Sequence, residues 1–138
     1  MANGPNIFQM LLVIHAYDCG QIEKDSGLWS SGEYSTFAMA DETARYRLTA
    51  AGYSGDAGDP TVELPQWWSF VANPFSTFDN DADHCGACNC AAAGGSGWWF
   101  GWCTGADLNY DDNAIWGYDD SGGLTADVLA ARMLLKVD

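Results

Sequence analysis

Short apolar runs and alternating positions mark the first part of the chain. Residues 10–17 (MLLVIHAY) form an apolar run that contains the β-branched Val13 and Ile14, which favours a buried strand. Residues 34–39 (YSTFAM) and 45–51 (RYRLTAA) have similar lengths, and in the second of them arginines alternate with larger apolar residues. The pattern predicts a meander of three short antiparallel strands.

The rest of the chain has little periodicity. Residues 52–59 (GYSGDAGD) contain three glycines and two aspartates, which predicts a loop with positive-φ positions. Gly, Asp, Asn and Trp dominate residues 73–127, and this half is predicted to be built from loops. Residues 128–137 (VLAARMLLKV) are apolar again, and periodicity leaves a short helix and a closing strand both open.

Length and charge restrict the class of protein. A chain of 138 residues is expected to form one domain. Its net charge of −14 repels phosphate backbones and anionic lipids, so nucleic acid is excluded as a partner. The apolar run at residues 10–14 is far shorter than the ~20 residues of a membrane span. Residues 1–20 lack the basic segment and cleavage site of a signal peptide.

One acidic stretch places Asp79, Asp81 and Asp83 at alternate positions. Calcium binds carboxylate, carbonyl and water oxygens, which a loop wrapped around these residues supplies, whereas magnesium demands tighter octahedral geometry. An EF-hand does not fit, because counting Asp79 as position 1 puts His84 at the glycine position and Cys90 at the glutamate position. A solvated acidic turn is the alternative interpretation.

Four of the five cysteines lie close together, at Cys85, Cys88, Cys90 and Cys103. Four zinc thiolates, or three with His84, are one interpretation, but the spacing is not that of a common zinc module. Disulfides in an oxidising compartment are favoured. The odd count leaves at least one thiol unpaired within the chain.

Catalytic motifs are absent from the sequence. A nucleophilic cysteine needs a neighbouring base, and the histidines are His15, in the apolar run, and His84, in the acidic stretch. There is no nucleophile elbow, glycine-rich phosphate loop or Walker pattern. The sequence therefore predicts a binding or structural protein and no enzyme.

A series of short motifs, taken in order, resembles the fibrinogen C-terminal domain family, which includes ficolins and tachylectins. They are residues 46–48 (YRL), 52–59 (GYSGDAGD), 75–81 (FSTFDND), 89–91 (NCA), 97–100 (GWWF), 108–109 (LN), 115–116 (IW) and 133–137 (MLLKV). The resemblance begins near Glu33 and continues to the C-terminus.

The resemblance implies an α+β fold, with a small twisted antiparallel sheet and a loop-rich calcium-binding subdomain. Residues 1–138 are expected to form one shortened domain, in which residues 1–32 match weakly and the family's N-terminal subdomain is missing. Residues 33–72 are expected to form the sheet region, and residues 73–138 the calcium and pocket subdomain with its closing segment.

The resemblance also implies a calcium ion held by Asp81 and Asp83, with backbone carbonyls near Cys85 and Ala87. Asp79, in the same loop, is a further candidate ligand. The implied disulfide joins Cys90 to Cys103. A cis peptide bond is implied before Cys103, although a non-proline cis bond costs about 3–4 kcal/mol.

In lectins of this family, a pocket beside the calcium binds acetylated sugars. The family often has His directly after the second disulfide cysteine, where this chain has Thr104. Aromatic faces stack on sugars, and Asn, Thr and Asp bond to hydroxyls and amides. The candidate pocket residues are Trp102, Cys103, Thr104, Asp111, Asp112, Asn113 and Tyr118.

The other tryptophans have two expected locations. Trp98, Trp99 and Trp116 are predicted to pack in the core, because large rings are usually buried. Trp67 and Trp68 fall in a stretch that varies within the family, and we expect them at the surface.

Two functions follow from these expectations. The first is a secreted, calcium-dependent recognition module with lectin-like glycan binding. The second is an extracellular structural or assembly protein, in which calcium and disulfides only stabilise the fold and the chain self-associates as a homo-oligomer. Cys19, Cys85 and Cys88 remain after the implied pair, and Cys19 bridges either to one of the other two or to another chain.

Overall fold

The computed structural model describes residues 7–17, 28–62, 66–111, 114–117 and 127–136. It contains six strands, β1 to β6, one short helix, α1, and two 3₁₀ turns. No helix in this part of the chain is long and apolar enough to cross a membrane. The strands are Ile7–Tyr17, Leu28–Met39, Leu48–Gly55, Ala106–Asp107, Ile115–Trp116 and Asp127–Lys136, the helix is Cys90–Gly94, and the 3₁₀ turns are Glu42–Ala44 and Gln66–Trp68.

Four strands form an antiparallel sheet in the order β3-β2-β1-β6. Strand β1 pairs with β2 on one side and with β6 on the other, so that Met10 lies opposite Tyr34 and Leu135. The strands predicted at residues 10–17 and 34–39 are confirmed, although both begin earlier in the chain. Pairing with β1 decides residues 128–137 in favour of a strand.

The strand predicted at residues 45–51 is wrong at both ends. Arg45 and Tyr46 have φ of 52° and 55°, a left-handed conformation that ends the preceding 3₁₀ turn, and β3 begins only at Leu48. It continues to Gly55, through residues predicted as a loop. Gly52, at φ 70°, is accommodated within the pairing to β2 because glycine tolerates positive φ.

A largely aromatic core, which includes Tyr34 and Phe37 of β2, joins the sheet to the loop region, defined here as residues 73–111. The Trp98 ring lies 5.9 Å from Phe70 and 5.2 Å from Trp99, and the Phe70 ring lies 5.8 Å from Trp116. Trp98, Trp99 and Trp116 are at most 9% exposed, as predicted. Trp67 is 61% exposed and Trp68 is half-buried.

Side chains bonded to backbone hold the loop region, in which α1 and β4 are the regular elements. The α1 helix begins where the Asn89 side chain accepts a hydrogen bond from the Ala92 N–H, and ends at Gly95 with φ 66°. The buried Ser76 hydroxyl accepts from the Ala82 N–H at 3.0 Å. These bonds fix the start of the acidic stretch without a strand or a long helix.

Candidate functional site

The acidic loop, residues 79–85, is shaped by its own carboxylates. Asp81 accepts a hydrogen bond from the Asp83 N–H at 3.1 Å. Asp83 accepts from the Cys85 N–H with one oxygen and from the Cys90 N–H with the other, both at 2.8 Å. Asp79 accepts from the Thr77 hydroxyl at 2.7 Å. Asp83 therefore closes the loop onto the start of α1.

The carboxylates of this loop are oxygen donors of the kind that calcium takes. Asp79, Asp81 and Asp83 do not gather into one group of potential ligands in the part of the chain that is described. Only one oxygen of Asp81 accepts a hydrogen bond from a described residue, so its other oxygen has capacity for an ion. Carboxylate and carbonyl oxygens are the hard ligands that calcium takes.

Two disulfides follow this loop, the first of them beginning at its last residue. Cys90 is bonded to Cys103, with 5.1 Å between their Cα atoms, which is the pair that the resemblance implies. Cys85 is bonded to Cys88. Of the two alternatives left open for Cys19, a bridge to Cys85 or Cys88 is contradicted, because these two cysteines are bonded to each other, with 5.3 Å between their Cα atoms. Cys19 lies outside the described residues.

The acidic loop is joined directly to the segment that follows the core tryptophans. The His84 N–H donates to the Gly101 carbonyl at 2.8 Å, and the Gly101 N–H donates to the Cys103 carbonyl at 3.0 Å. The Trp102–Cys103 peptide is trans, so the implied cis bond is wrong; Cys103 instead reverses the chain with φ of 61°. The Cys90–Cys103 bond adds a second, indirect link, because Asp83 of the loop accepts a hydrogen bond from the Cys90 N–H.

Within this segment, Trp102 faces solvent and Thr104 does not act as a free polar group. The Trp102 side chain is 56% exposed, and the Trp102 backbone N–H donates to the Trp67 carbonyl at 2.7 Å. The Thr104 hydroxyl lies 2.9 Å from the Ala106 carbonyl and accepts from the Ala106 N–H at 3.1 Å. Its bonds are thus used to support β4, while two indoles, Trp67 and Trp102, are exposed on adjacent backbones.

The remaining pocket candidates are only partly accounted for. Asp111 is exposed and its N–H donates to the Gly94 carbonyl at 3.0 Å, at the end of α1. Asp112, Asn113 and Tyr118 lie outside the described residues. Trp102, Cys103 and Thr104 are consecutive in the sequence. Asp111 lies at the C-terminal end of α1, the helix that the Cys90–Cys103 disulfide holds at its first residue.

Two cavities were not anticipated from the sequence. One, of about 510 Å³, lies between the acidic loop and α1, and the 74% exposed Phe78 stands at it. Its other lining residues are mostly small, namely Thr77, Asp79, Ala91, Ala92, Gly95, Ser96 and Gly97. The run of small residues at 91–97 was the available signal. A second cavity, of about 670 Å³, lies between β3 and residues 59–72.

A buried carboxylate, Asp107, is hydrogen-bonded to one of the residues that line the 510 Å³ cavity. Asp107 has no exposed surface and accepts from the Ser96 hydroxyl and the Asn109 N–H, both at 2.8 Å. Burial raises the pKa of Asp107 above its usual range, against the lowering effect of these two hydrogen bonds. Asp107 therefore positions the Ser96 side of the smaller cavity and is itself inaccessible to a ligand.

Comparison with known proteins agrees with this geometry. The spider Phoneutria nigriventer has a "Techylectin-like protein" that is 37% identical over 102 residues, covering 67% of this chain and 43% of its own length. Human "Fibrinogen-like protein 1" is 40% identical over 97 residues, covering 67% of this chain and 30% of its own. The chain thus spans less than half of each of these relatives.

Structure comparison gives the same relation. The fibrinogen-like globe domain of human ANGPTL6 superimposes with a TM-score of 0.69 at 29% identity, over 95% of this chain and 57% of that domain. The predicted α+β architecture is thereby confirmed. The family model described as "Fibrinogen beta and gamma chains, C-terminal globular domain" matches residues 16–123, and this chain belongs to that family.

Proposed function

We propose that this chain is a secreted recognition module in which a calcium ion in the acidic loop fixes the adjacent ligand-binding segment, with lectin-like binding of acetylated or other glycans. The supporting observation is the double link between loop and segment, through the His84 N–H to the Gly101 carbonyl and through the Cys90–Cys103 disulfide. Calcium binding in the acidic loop is therefore expected to affect the position of Trp102.

The residues of the loop have distinct roles in this proposal. Asp81 would hold the ion together with Asp83 and with carbonyls near Cys85 and Ala87. Asp83 also orients the loop, because its two oxygens accept the Cys85 and Cys90 N–H groups. When bound, calcium supplies the positive charge that offsets the clustered carboxylates.

The exposed indoles of Trp102 and Trp67 provide the surface for the ligand. Aromatic faces stack on the C–H faces of sugars, and the backbones of these two residues are hydrogen-bonded at 2.7 Å. The name of the Phoneutria nigriventer relative, "Techylectin-like", agrees with a lectin-like role. We propose binding as the role of this surface, in line with a sequence that contains no nucleophile elbow and no glycine-rich phosphate loop.

A glycan array probed with and without a calcium chelator tests the proposal. Hits that disappear with chelator, with Asp81→Ala and with Trp102→Ala are expected. Phe78→Ala is the matched control, because Phe78 is also an exposed aromatic residue but stands at the separate 510 Å³ cavity. Binding that persists in chelator contradicts calcium dependence, and loss only with Phe78→Ala moves the ligand site to that cavity.

A second candidate, self-association, is favoured by the open edge of the sheet. Among the described residues, strand β6 pairs with β1 and makes one isolated bridge, from Val128 to Ala114, while its Met133, Leu134 and Leu135 are 39–50% exposed. Unprotected apolar edge strands pair with other chains. The strand also contains Arg132 and Lys136, two of the five basic residues of a chain with net charge −14, which reduces the excess of negative charge at this edge.

Light scattering across a concentration series tests this candidate. A dimer that Leu134→Glu converts to monomer supports edge pairing, and a monomer at every concentration contradicts it. Electrophoresis without reductant separates this association from an intermolecular Cys19 disulfide, which reductant would break.

A further inference from the structure

The sulfur atoms of the two disulfides lie next to each other. The Cys88 Sγ is 4.0 Å from the Cys90 Sγ, and the sulfurs of Cys88, Cys90 and Cys103 all lie within 4.8 Å of one another. The Cys85 sulfur, although bonded to Cys88, does not belong to this group. One sulfur of the first disulfide is thus near both sulfurs of the second.

The two disulfides differ in their access to solvent. Cys88 is exposed, whereas Cys90 is 2% exposed at the start of α1 and Cys103 is half-buried. A soluble reductant therefore reaches Cys85–Cys88 more easily than it reaches Cys90–Cys103, because exchange requires access to a sulfur. The geometry gives the buried disulfide an internal route to solvent.

We propose that these four cysteines form a thiol–disulfide exchange site, in which the Cys85–Cys88 pair receives electrons from an external dithiol and Cys88 passes them to the Cys90–Cys103 disulfide. In the first step the dithiol is oxidised to its own disulfide, the Cys85–Cys88 bond breaks, and both cysteines become thiols.

The second step is an internal exchange that needs no further oxidant or reductant. The Cys88 sulfur loses its proton to water and bonds to Cys103 or Cys90, while the Cys90–Cys103 bond breaks. The sulfur that leaves takes a proton from water. If Cys85 then attacks the new bond, the Cys85–Cys88 disulfide forms again, and Cys90 and Cys103 remain as the two thiols.

Opening the Cys90–Cys103 bond removes one of the two links between the acidic loop and the Trp102 segment. The second link, from the His84 N–H to the Gly101 carbonyl, is a single hydrogen bond at 2.8 Å. The exchange site would thus loosen the ligand-binding segment under reducing conditions; this consequence rests on the proposed function, whereas the exchange itself does not.

Two single variants in a Cys19→Ser background test the exchange. Cys85→Ser leaves Cys88 as a thiol within the sulfur group, and Cys88→Ser leaves Cys85 as a thiol outside it. After equilibration for hours, since reshuffling takes seconds to hours, thiols are alkylated and located by peptide mass spectrometry. We expect label divided among Cys88, Cys90 and Cys103 in the first variant, and on Cys85 alone in the second.

Label confined to Cys88 in the Cys85→Ser variant would overturn the proposal. The rate at which a soluble dithiol opens Cys90–Cys103 provides a second measurement in the native fold. Replacing both Cys85 and Cys88 with Ser should slow this opening roughly tenfold or more, because the intramolecular step is lost. An unchanged rate would also refute the relay. Neither readout depends on calcium or on a glycan, so failure here is distinguishable from failure of the proposed function.

Discussion

The sheet and the loop region are held together by different kinds of bonds. In the sheet, strands of 8 to 12 residues share backbone ladders. In the loop region, single side chains satisfy the backbone, as Asp83 does for Cys85 and Cys90. A ladder survives the loss of most side chains, whereas a loop that depends on one carboxylate does not. Stability in the loop region should therefore be concentrated in a few residues.

The largest expected effect is that of Asp83→Ala, measured by urea unfolding in chelator. It leaves two backbone donors without their charged acceptor and should lower the free energy of unfolding by about 3 kcal/mol. Asp79→Ala, which loses one exposed bond to Thr77, and Thr49→Ala, on the exposed face of β3, should each cost about 0.5 kcal/mol or less. Equal costs would remove the contrast between the regions.

The sheet also has one position, at the end of β3, where a side chain should be strongly destabilising. Gly55 has φ of 136°, and a Cβ there would meet the Ser31 carbonyl oxygen. Gly55→Ala should destabilise the fold by about 2 kcal/mol. Gly86→Ala, one residue after the acidic loop, is the control, because a Cβ at Gly86 would have no other atom within 4 Å. Thermal unfolding of both variants measures the two costs. Equal unfolding temperatures would mean that the backbone at Gly55 adjusts to a Cβ without loss of stability.

Two adjacent core tryptophans give a smaller and sharper test. The Trp99 Nε1–H donates to the Tyr46 carbonyl at 2.8 Å, whereas the buried Trp98 Nε1–H has no hydrogen-bond partner among the described residues. Replacement by Phe removes similar ring area at both positions. Trp99→Phe should therefore cost about 1 kcal/mol more than Trp98→Phe in chemical denaturation. Equal costs for the two variants, or a larger cost for Trp98→Phe, would contradict a net stabilising contribution of the Trp99–Tyr46 hydrogen bond.

The smallest expected effects depend on pH and have opposite signs in the two regions. The Asp107 pKa is raised by burial, so wild type should lose stability relative to Asp107→Asn as the pH rises above the ordinary value of 3.8, until the folded-state pKa is passed. In the turn between β2 and β3, hydrogen bonds from Thr43 and the Ala44 N–H lower the pKa of Asp41.

For Asp41 the linkage therefore runs the other way. Its contribution to stability is present above pH 3.8 and is lost as the pH falls through the folded-state pKa, so the advantage of wild type over Asp41→Asn should shrink on acidification. Urea unfolding between about pH 3 and pH 7 measures both differences. The same sign for the two variants would contradict the assignment of their causes.

The sequence predicted most of the sheet because strand length and apolar runs are local properties. Residues 10–17 and 34–39 were recognisable from their composition alone. The start of β3 was not, because left-handed φ at Arg45 and Tyr46 has no signal in residue type. Residues 128–137 needed the pairing with β1, which is a tertiary property.

At the site, the family pattern located the Cys90–Cys103 disulfide, and the general tendency of large rings to be buried predicted the burial of Trp98, Trp99 and Trp116. The family pattern did not predict the Cys85–Cys88 pair, because it assigns no partner to these two cysteines. Nor did it show that the Thr104 hydroxyl is used by Ala106. The assignment of calcium to Asp81 and Asp83 stays a prediction.

Calcium titration by calorimetry tests the central proposal most directly. Wild type is expected to bind about one ion per chain, Asp81→Ala to show no binding heat, and Asp41→Ala, an exposed carboxylate outside the acidic loop, to bind as wild type does. Absence of calcium binding by wild type, or equal binding by Asp81→Ala, would contradict the proposal that the acidic loop fixes the ligand-binding segment through calcium.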